Sequence, residues 1–540
     1  MRSPTFSIGA AFFLAAASTA LGQSPSAESA APHLRRDGPA VQLVVDGKPF
    51  LILGGELLNS SSSSREHMQA VWPRLAAMSL NTVLTPVSWD MIEPAEGRYD
   101  FRLVDGLIQD ARAQNLHLVL LWLASWKNGM SCYMPLWVKQ DCDRFPRVPD
   151  GSGAGRELLS TLSDANRNAD ARAFAALMRH LRGFDGSAHT VLMIQVENEV
   201  GILGDSRDRS VAANSAFAAP VPAALMSYLE EHRDALLPEL RTLWDGAGGK
   251  ASGSWQEVFG PGLATDEIFM AWNYARYVGY VAAAGKAEYA LPMYANAWLR
   301  QPYFLTPGTY PSGGPQAELM DVWHAGAPAI DILAPDLYGP NFTEWCFKYQ
   351  REGNPLFLPE TESGPEAGAR VFYVLGAHDG LGFSPFGIDM PAERLGPDLG
   401  QSYAILSQLA PLILESRGLG RMTGFSLDKA HPTASASFGG YSLEIALDSI
   451  FGRTTAKGYG LIVATGPGEF VGAGRGFMVR FKPNGGLPLA GLGRVEEGTY
   501  RDGRWIPGRR LNGDETDQGG HWRFSPFASG IQRCTVYQYR

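Results

Sequence analysis

The sequence predicts an α/β fold, a (β/α)8 TIM barrel followed by a smaller all-β sandwich, and three observations lead there. Eight short apolar runs recur between residues 50 and 390, mostly separated by segments with helical spacing, and eight such units is the count of a barrel. Several runs, Val119-Leu120-Leu121 among them, are continuously apolar rather than alternating, as strands buried on both faces are. From about Arg421 the helical periodicity fades, and short runs such as Gly460–Ala464 and Gly476–Phe481 alternate with Gly-rich turns. A doubly wound open sheet would share the first pattern, but the Gly-rich first turn that announces it is absent.

Taken in order, the chain opens with Arg2, an apolar run from Ile8 to Ala20 and small residues at Ala20-Leu21-Gly22. This reads as a signal peptide over 1–22, too short for a membrane span of about 20 apolar residues. Gln23–Pro39 is rich in Ser, Ala and Pro and reads as a flexible leader. The barrel is expected over 40–418, with strands at Phe50–Leu57, Thr82–Trp89, His117–Trp126, Val191–Val196, Leu291–Asn296, Asp331–Tyr338, Pro355–Glu360 and Gly382–Asp389. Ser64 can cap a helix carrying Met68, Val71, Leu75 and Met78. Leu103, Leu107 and Ile108 mark a second helix, Phe174, Leu177, Met178 and Leu181 a third, and Ser402–Glu415 the last. The sandwich takes 419–540.

Composition narrows the function. The 540 residues are 45% apolar and 19% charged, enough to bury a large core. The formal charge of −9 excludes a protein held to nucleic acid by a basic surface. Cys132 and Cys142, ten positions apart, could close a loop in an oxidising compartment, while the pairing of Cys346 and Cys534 is open. No Cys or His spacing suggests a metal, and HExxH, Walker A and GxSxG motifs are absent, so no cofactor is expected.

A barrel builds its active site at the C-terminal ends of its strands. There the fourth strand ends Gln195-Val196-Glu197-Asn198-Glu199 and the seventh Leu358-Pro359-Glu360-Thr361-Glu362. Buried carboxylates are costly without a task, and glycoside hydrolysis needs two of them, one to protonate the leaving oxygen and one to attack or to activate water. Glu199 and Glu360 are the candidate pair. Glu197 has the parity of Glu199 one layer deeper and reads as a supporting carboxylate, and Glu362 shares the parity of Glu360 and stands as an alternative nucleophile. Trp89, Trp126 and Tyr338 offer faces for sugar stacking. Glu56, Asn59 and Lys127 are further candidate ligands, Glu93 and Glu96 read as turn and helix-entry residues, and His324 as structural.

These residues carry a resemblance. Gly54-Gly55-Glu56-Leu57-Leu58-Asn59-Ser60-Ser61, the stretch WDMIEPAEGRYDF, Ala124-Ser125-Trp126-Lys127-Asn128-Gly129 and QVENEVG resemble glycoside hydrolase family 35, in its bacterial branch of β-galactosidases with a C-terminal β-sandwich. The resemblance implies a retaining exo-β-galactosidase acting on oligosaccharides such as galactosylated xyloglucan fragments. It implies Glu199 as acid/base, Asn198 as the partner of the sugar 2-hydroxyl, Glu360 as nucleophile and Tyr338 beside it. The sequence departs from the lysosomal-type members at Pro86 and Ser125, where those carry Tyr and Glu. Another retaining β-glycosidase of the clan, or a carbohydrate-binding protein without catalysis, are the alternatives. The expected setting is periplasmic or secreted, with no membrane contact after signal cleavage. Homo-oligomerisation is compatible with the sequence.

Overall fold

Each of the eight apolar runs becomes a strand of one parallel sheet in the computed structural model, which describes residues 30–450 and 453–540. The strands are β1 (Ile52–Leu53), β2 (Thr82–Ser88), β3 (His117–Lys127), β4 (Val191–Asn198), β5 (Met293–Trp298), β6 (Ile332–Leu337), β7 (Leu358–Thr361) and β8 (Gly382–Pro385). They pair in the order β1-β8-β7-β6-β5-β4-β3-β2. Past β1, Gly55 and Leu57 exchange backbone hydrogen bonds with Leu84 of β2, at 2.9 and 3.1 Å, and close the barrel. The outer strands are shorter than their apolar runs because Glu56, Phe386 and Ile388 pair singly, outside the regular ladder.

A helix follows every strand: α1 (Arg65–Ala77), α2 (Arg102–Ala113), α3 (Asp164–Asp185), α4 (Leu263–Glu288), α5 (Met320–Gly326), α6 (Phe342–Tyr349), α7 (Ala367–Ala377) and α8 (Leu399–Ser416). The Ser64 hydroxyl accepts from the His67 N–H at 3.2 Å, the cap that starts α1. Strand residues alternate between two apolar clusters, which is why their runs are continuous. Leu84, Val119, Leu121, Leu192, Tyr294 and Ile332 fill the barrel, whereas Val83, Leu118, Leu120 and Leu333 pack under the helices. Leu43 and Val45 join the interior cluster from a three-stranded N-terminal sheet.

That sheet begins at His33–Asp37, which pairs with Ala40–Val45, so part of the segment read as flexible leader is ordered strand. The expected signal peptide lies outside the described residues. Among the described residues no helix is long and apolar enough to cross a membrane.

The C-terminal region is antiparallel throughout. A six-stranded sheet holds β9 (Met422–Asp428), β12 (Lys457–Gly466), β13 (Glu469–Arg475), β18 (Gly530–Tyr539), β15 (Leu489–Arg501) and β16 (Arg504–Leu511), in that order. Against it lies a four-stranded sheet of β10 (Thr433–Phe438), β11 (Tyr441–Leu447), β14 (Phe477–Pro483) and β17 (Trp522–Phe524). In β12, Tyr459, Leu461 and Val463 face the barrel's apolar cluster while Ile462 and Ala464 face the sandwich core. The larger sheet is therefore sandwiched in turn between the barrel helices and the smaller sheet.

All four cysteines are free. Cys132 and Cys142 are exposed and unbridged, so the loop they could close is left open here. Cys346 and Cys534 are buried in different apolar clusters, too widely separated by packing to pair.

Candidate active site

The β4 run Val191-Leu192-Met193-Ile194-Gln195-Val196 is buried along its length, but the residues after it break the strand's alternation. Glu197 has φ +63° and Glu199 φ +44°, left-handed values that a non-glycine residue adopts only where its surroundings hold it. For Glu199 the holders are visible. Its N–H donates to Asn296 Oδ1 of β5 at 3.0 Å, and its carbonyl accepts from the Gly129 N–H at 3.2 Å. Asn296 is fixed in turn by donating through Nδ2 to Asp336 Oδ2 of β6 at 2.6 Å.

Three neighbouring strands thus converge on the acid at the tip of β4. One carboxyl oxygen each of Glu199, Asp336 and Glu360 lie within 4.8 Å of one another. Glu360 is 5% exposed, and its Oε1 accepts from the Tyr338 hydroxyl at 2.5 Å. Glu362 is exposed and faces Arg370 at 3.4 Å, which removes it as the nucleophile. Glu56 and Lys127 belong to the same electrostatic cluster, both buried.

Electrostatics split these groups. Burial, then the nearby Glu360, push Glu199 up to about 7, against the opposing pull of Lys127 and a hydrogen bond with Asp336. Burial, again followed by Glu360, raises Glu56 and Asp336 well above the usual carboxyl range. Burial works against the charge on Lys127, but the attraction of Glu360, Glu199, Glu56 and Asp336 outweighs it and raises its pKa. Burial and Glu360 likewise hold the Tyr338 phenol protonated. Glu199, Asp336 and Glu360 are close enough to share a cation, yet Lys127 already brings a positive charge to this cluster.

Many polar atoms here have no partner among the described residues: both carboxyl oxygens of Glu56, both amide atoms of Asn198, Asp336 Oδ1, Glu360 Oε2 and Asn128 Oδ1. Natural interiors rarely leave such groups unpaired, and a ligand rich in hydroxyls would satisfy them.

Of the residues singled out from sequence, the structure brings Glu56, Lys127, Glu199, Tyr338 and Glu360 together, with Asn198 buried next to Glu199. Asn59 instead lines a cavity of about 200 Å³ over the end of β2, with Pro86, Asp90 and Tyr133. Trp89 is fully buried, spending its indole N–H on Glu93 Oε2 at 2.8 Å, and Trp126 is fully buried between Tyr274 and Tyr277. Neither presents a face to a ligand, because both rings point into the helix layer.

Glu197 is a supporting carboxylate, as read, but it faces away from Glu199 rather than lying one layer below it. Its two oxygens accept from the Ser125 and Trp126 N–H groups at 3.1 and 2.7 Å, and it shares a hydrogen bond with Asp170 of α3 outside the barrel. Ser125 Oγ donates to that same Asp170 at 2.6 Å, so Ser125 belongs to this network as well. Asp336, Asn296 and the half-buried Trp298 at the end of β5 were not singled out from the sequence. Asp336 carried a signal all the same, as an acid at the end of the apolar run Ile332-Leu333-Ala334-Pro335.

Comparison with known proteins gives matches of limited extent. The Glyco_hydro_42 family model, described as beta-galactosidase, matches residues 58–278, and a domain of unknown function, DUF5597, matches 399–523. A β-galactosidase of Xanthomonas manihotis is 29% identical over 173 residues, 30% of this chain and 26% of that protein, so the match spans about a quarter of the relative's length. Among solved structures, the β-galactosidase of Rahnella sp. R3 aligns with a TM-score of 0.45 at 17% identity, covering 67% of this chain and 57% of that one. That of Bacillus circulans sp. alkalophilus aligns with 0.45 at 15%, covering 68% and 57%. The likeness is to β-galactosidases. Its family model is that of family 42, and the assignment to family 35 is not supported.

Proposed function

We propose that this chain is a retaining β-galactosidase, nearer family 42 than family 35, that releases terminal β-galactosyl residues from oligosaccharides. One observation carries the mechanism: two buried glutamates, at the tip of β4 and on β7, bring one carboxyl oxygen each within 4.8 Å, close enough for a retaining pair, and differ in their surroundings. Retaining hydrolysis needs carboxyls about 5–5.5 Å apart, whereas inversion needs roughly 6.5–9.5 Å to admit a water between them. Galactose as the sugar is supported by the matches to β-galactosidases.

The chemistry follows from the two environments. Glu199, raised to about 7, keeps its proton below neutral pH and delivers it to the glycosidic oxygen as the bond to the anomeric carbon breaks. A Glu360 oxygen attacks that carbon from the opposite face and forms the glycosyl–enzyme ester. Tyr338 donates to the same carboxylate and holds it in line. Glu199, now ionised, takes a proton from water, whose oxygen displaces Glu360 and regenerates both groups. The partnerless atoms of Glu56 and Asn198 are the natural acceptors and donors for ring hydroxyls. A galactosylated hemicellulose fragment met outside the cytoplasm fits the expected export.

Proton NMR of the first galactose released from an aryl β-galactoside tests the assignment. β-Galactose appearing first is the expected result. α-Galactose first would overturn the retaining roles, and no release from any β-galactoside would overturn the sugar.

A further inference from the structure

We propose that the loop between β5 and α5 is a binding platform for the leaving-group side of an extended glycan, with Tyr303 and Phe304 as its stacking residues. The proposal rests on the galactosidase reading above and names the substrate class: an oligosaccharide several sugars long rather than a disaccharide.

The loop is held firmly at both ends. Gln316 pins its base, accepting from the Arg300 N–H at 3.1 Å and donating to the Trp298 carbonyl at 2.7 Å. Its return limb is stitched to the segment that follows Glu199. The Gly204 N–H donates to the Gly308 carbonyl at 2.8 Å, Ile202 and Ser312 exchange backbone bonds at 3.0 and 2.9 Å, and Ser312 Oγ donates to the Ser206 carbonyl at 2.6 Å. Glycine is required at this contact: at Gly308, φ +93°, a Cβ would lie 2.5 Å from the Asp205 carbonyl oxygen, and at Gly201, φ +146°, one would lie 2.4 Å from the carbonyl carbon of Pro311.

Between these anchors a tight turn, closed by the Phe304 N–H donating to the Gln301 carbonyl at 2.8 Å, lifts Pro302-Tyr303-Phe304-Leu305 into solvent. Tyr303 is 89% exposed, Phe304 41% and Leu305 62%. A run of four exposed apolar residues on a rigid base is unfavourable for a solvated surface unless something binds there.

Position identifies the occupant. Glu199 protonates the leaving oxygen, so the departing saccharide passes on the β4 side of the mouth, where β5 is one of the two strands beside β4. The return limb that carries the apolar tip back to the barrel, through Gly308 and Ser312, is tied to residues 202–206, which follow shortly after Glu199. Aromatic rings in that place suit the C–H faces of successive sugars.

The test compares methyl β-galactoside with a linear tetrasaccharide ending in a β-galactosyl residue. Tyr303→Ala and Phe304→Ala should each raise KM for the tetrasaccharide about tenfold with kcat unchanged, as loss of uniform binding does. Both should leave kcat/KM for the methyl glycoside within twofold, and Tyr303→Trp should restore the tetrasaccharide. Equal losses on both substrates, or no loss on either, would overturn the platform. Should the parent enzyme cleave neither substrate, the galactosidase reading fails on its own. The platform is then decided by calorimetric binding of the tetrasaccharide, where equal affinity of parent and Tyr303→Ala would overturn it.

Discussion

Two clusters of buried acids sit back to back on the same strand tip, and they differ in one respect. Outside the barrel, Glu197 and Asp170 are saturated: Glu197 accepts from two backbone N–H groups, and Asp170 accepts from Trp122 Nε1 at 2.9 Å and from Ser125 Oγ. Inside, Glu56, Asp336 and Glu360 keep oxygens with no partner among the described residues. Both clusters are shifted by burial toward the neutral form. A perturbed pKa alone therefore does not mark a site, since structural acids show it too. What separates the two is hydrogen-bonding capacity left open at the mouth of a barrel.

The largest effects should break this symmetry through activity. Glu360→Gln is expected to lower kcat by at least about 10⁴-fold, because no carboxylate remains to form the ester. Glu199→Gln should cost about 10²–10⁴-fold on an alkyl galactoside and far less on a nitrophenyl one, whose leaving group needs no proton. Glu197→Gln should do the reverse. Its amide nitrogen cannot accept from Ser125 or Trp126, so a buried N–H loses its partner and stability falls by about 2–4 kcal/mol in urea unfolding. The folded fraction should keep kcat within about tenfold. A Glu197 variant as inactive as the Glu360 one would erase the distinction.

This pair also shows where sequence reading succeeds. The eight strands were legible because they recur between helical segments and several are apolar on both faces, patterns that survive without knowledge of neighbours. The same parity rule fails at QVENE, where left-handed backbone at Glu197 and Glu199 turns alternate-looking residues to opposite sides of the barrel wall. Glu360 could be told from Glu362 only by burial. Trp89 and Trp126 misled because ring type says nothing about which face is covered. Asn296 was invisible because its task, holding the Glu199 backbone, depends on a strand about a hundred residues away.

Smaller effects sharpen the inner cluster. Tyr338→Phe removes the donor to Glu360, a bond to a charged acceptor worth about 1.5–3 kcal/mol, and should lower kcat about 10–100-fold without altering the anomer released. The kcat/KM profile should fall as pH rises through about 7, where Glu199 loses the proton it must donate. Lys127→Met removes a charge that favours ionised Glu199, so its falling limb should move to higher pH by about one unit. A limb that stays in place would separate Lys127 from the acid.

The smallest effect tests what the open cluster costs the fold. Burial and the neighbouring Glu360 push Glu199 up to about 7 in the native state, above the ordinary carboxyl value of 4.5, so unfolding lets it ionise more easily. Below pH 4.5 it is protonated in both states and contributes no penalty. As pH rises the unfolded chain is favoured, and above about 7 the penalty is complete, at most about 3 kcal/mol. Glu199→Gln is neutral at every pH. It should therefore be more stable than the parent at pH 8 by about 1–2 kcal/mol and equal to it at pH 4, as urea unfolding at the two values will show. Glu197→Gln, at the back of the same strand, should be less stable at both. Opposite signs at two positions one residue apart from Asn198 would separate an acid kept for chemistry from one kept for structure.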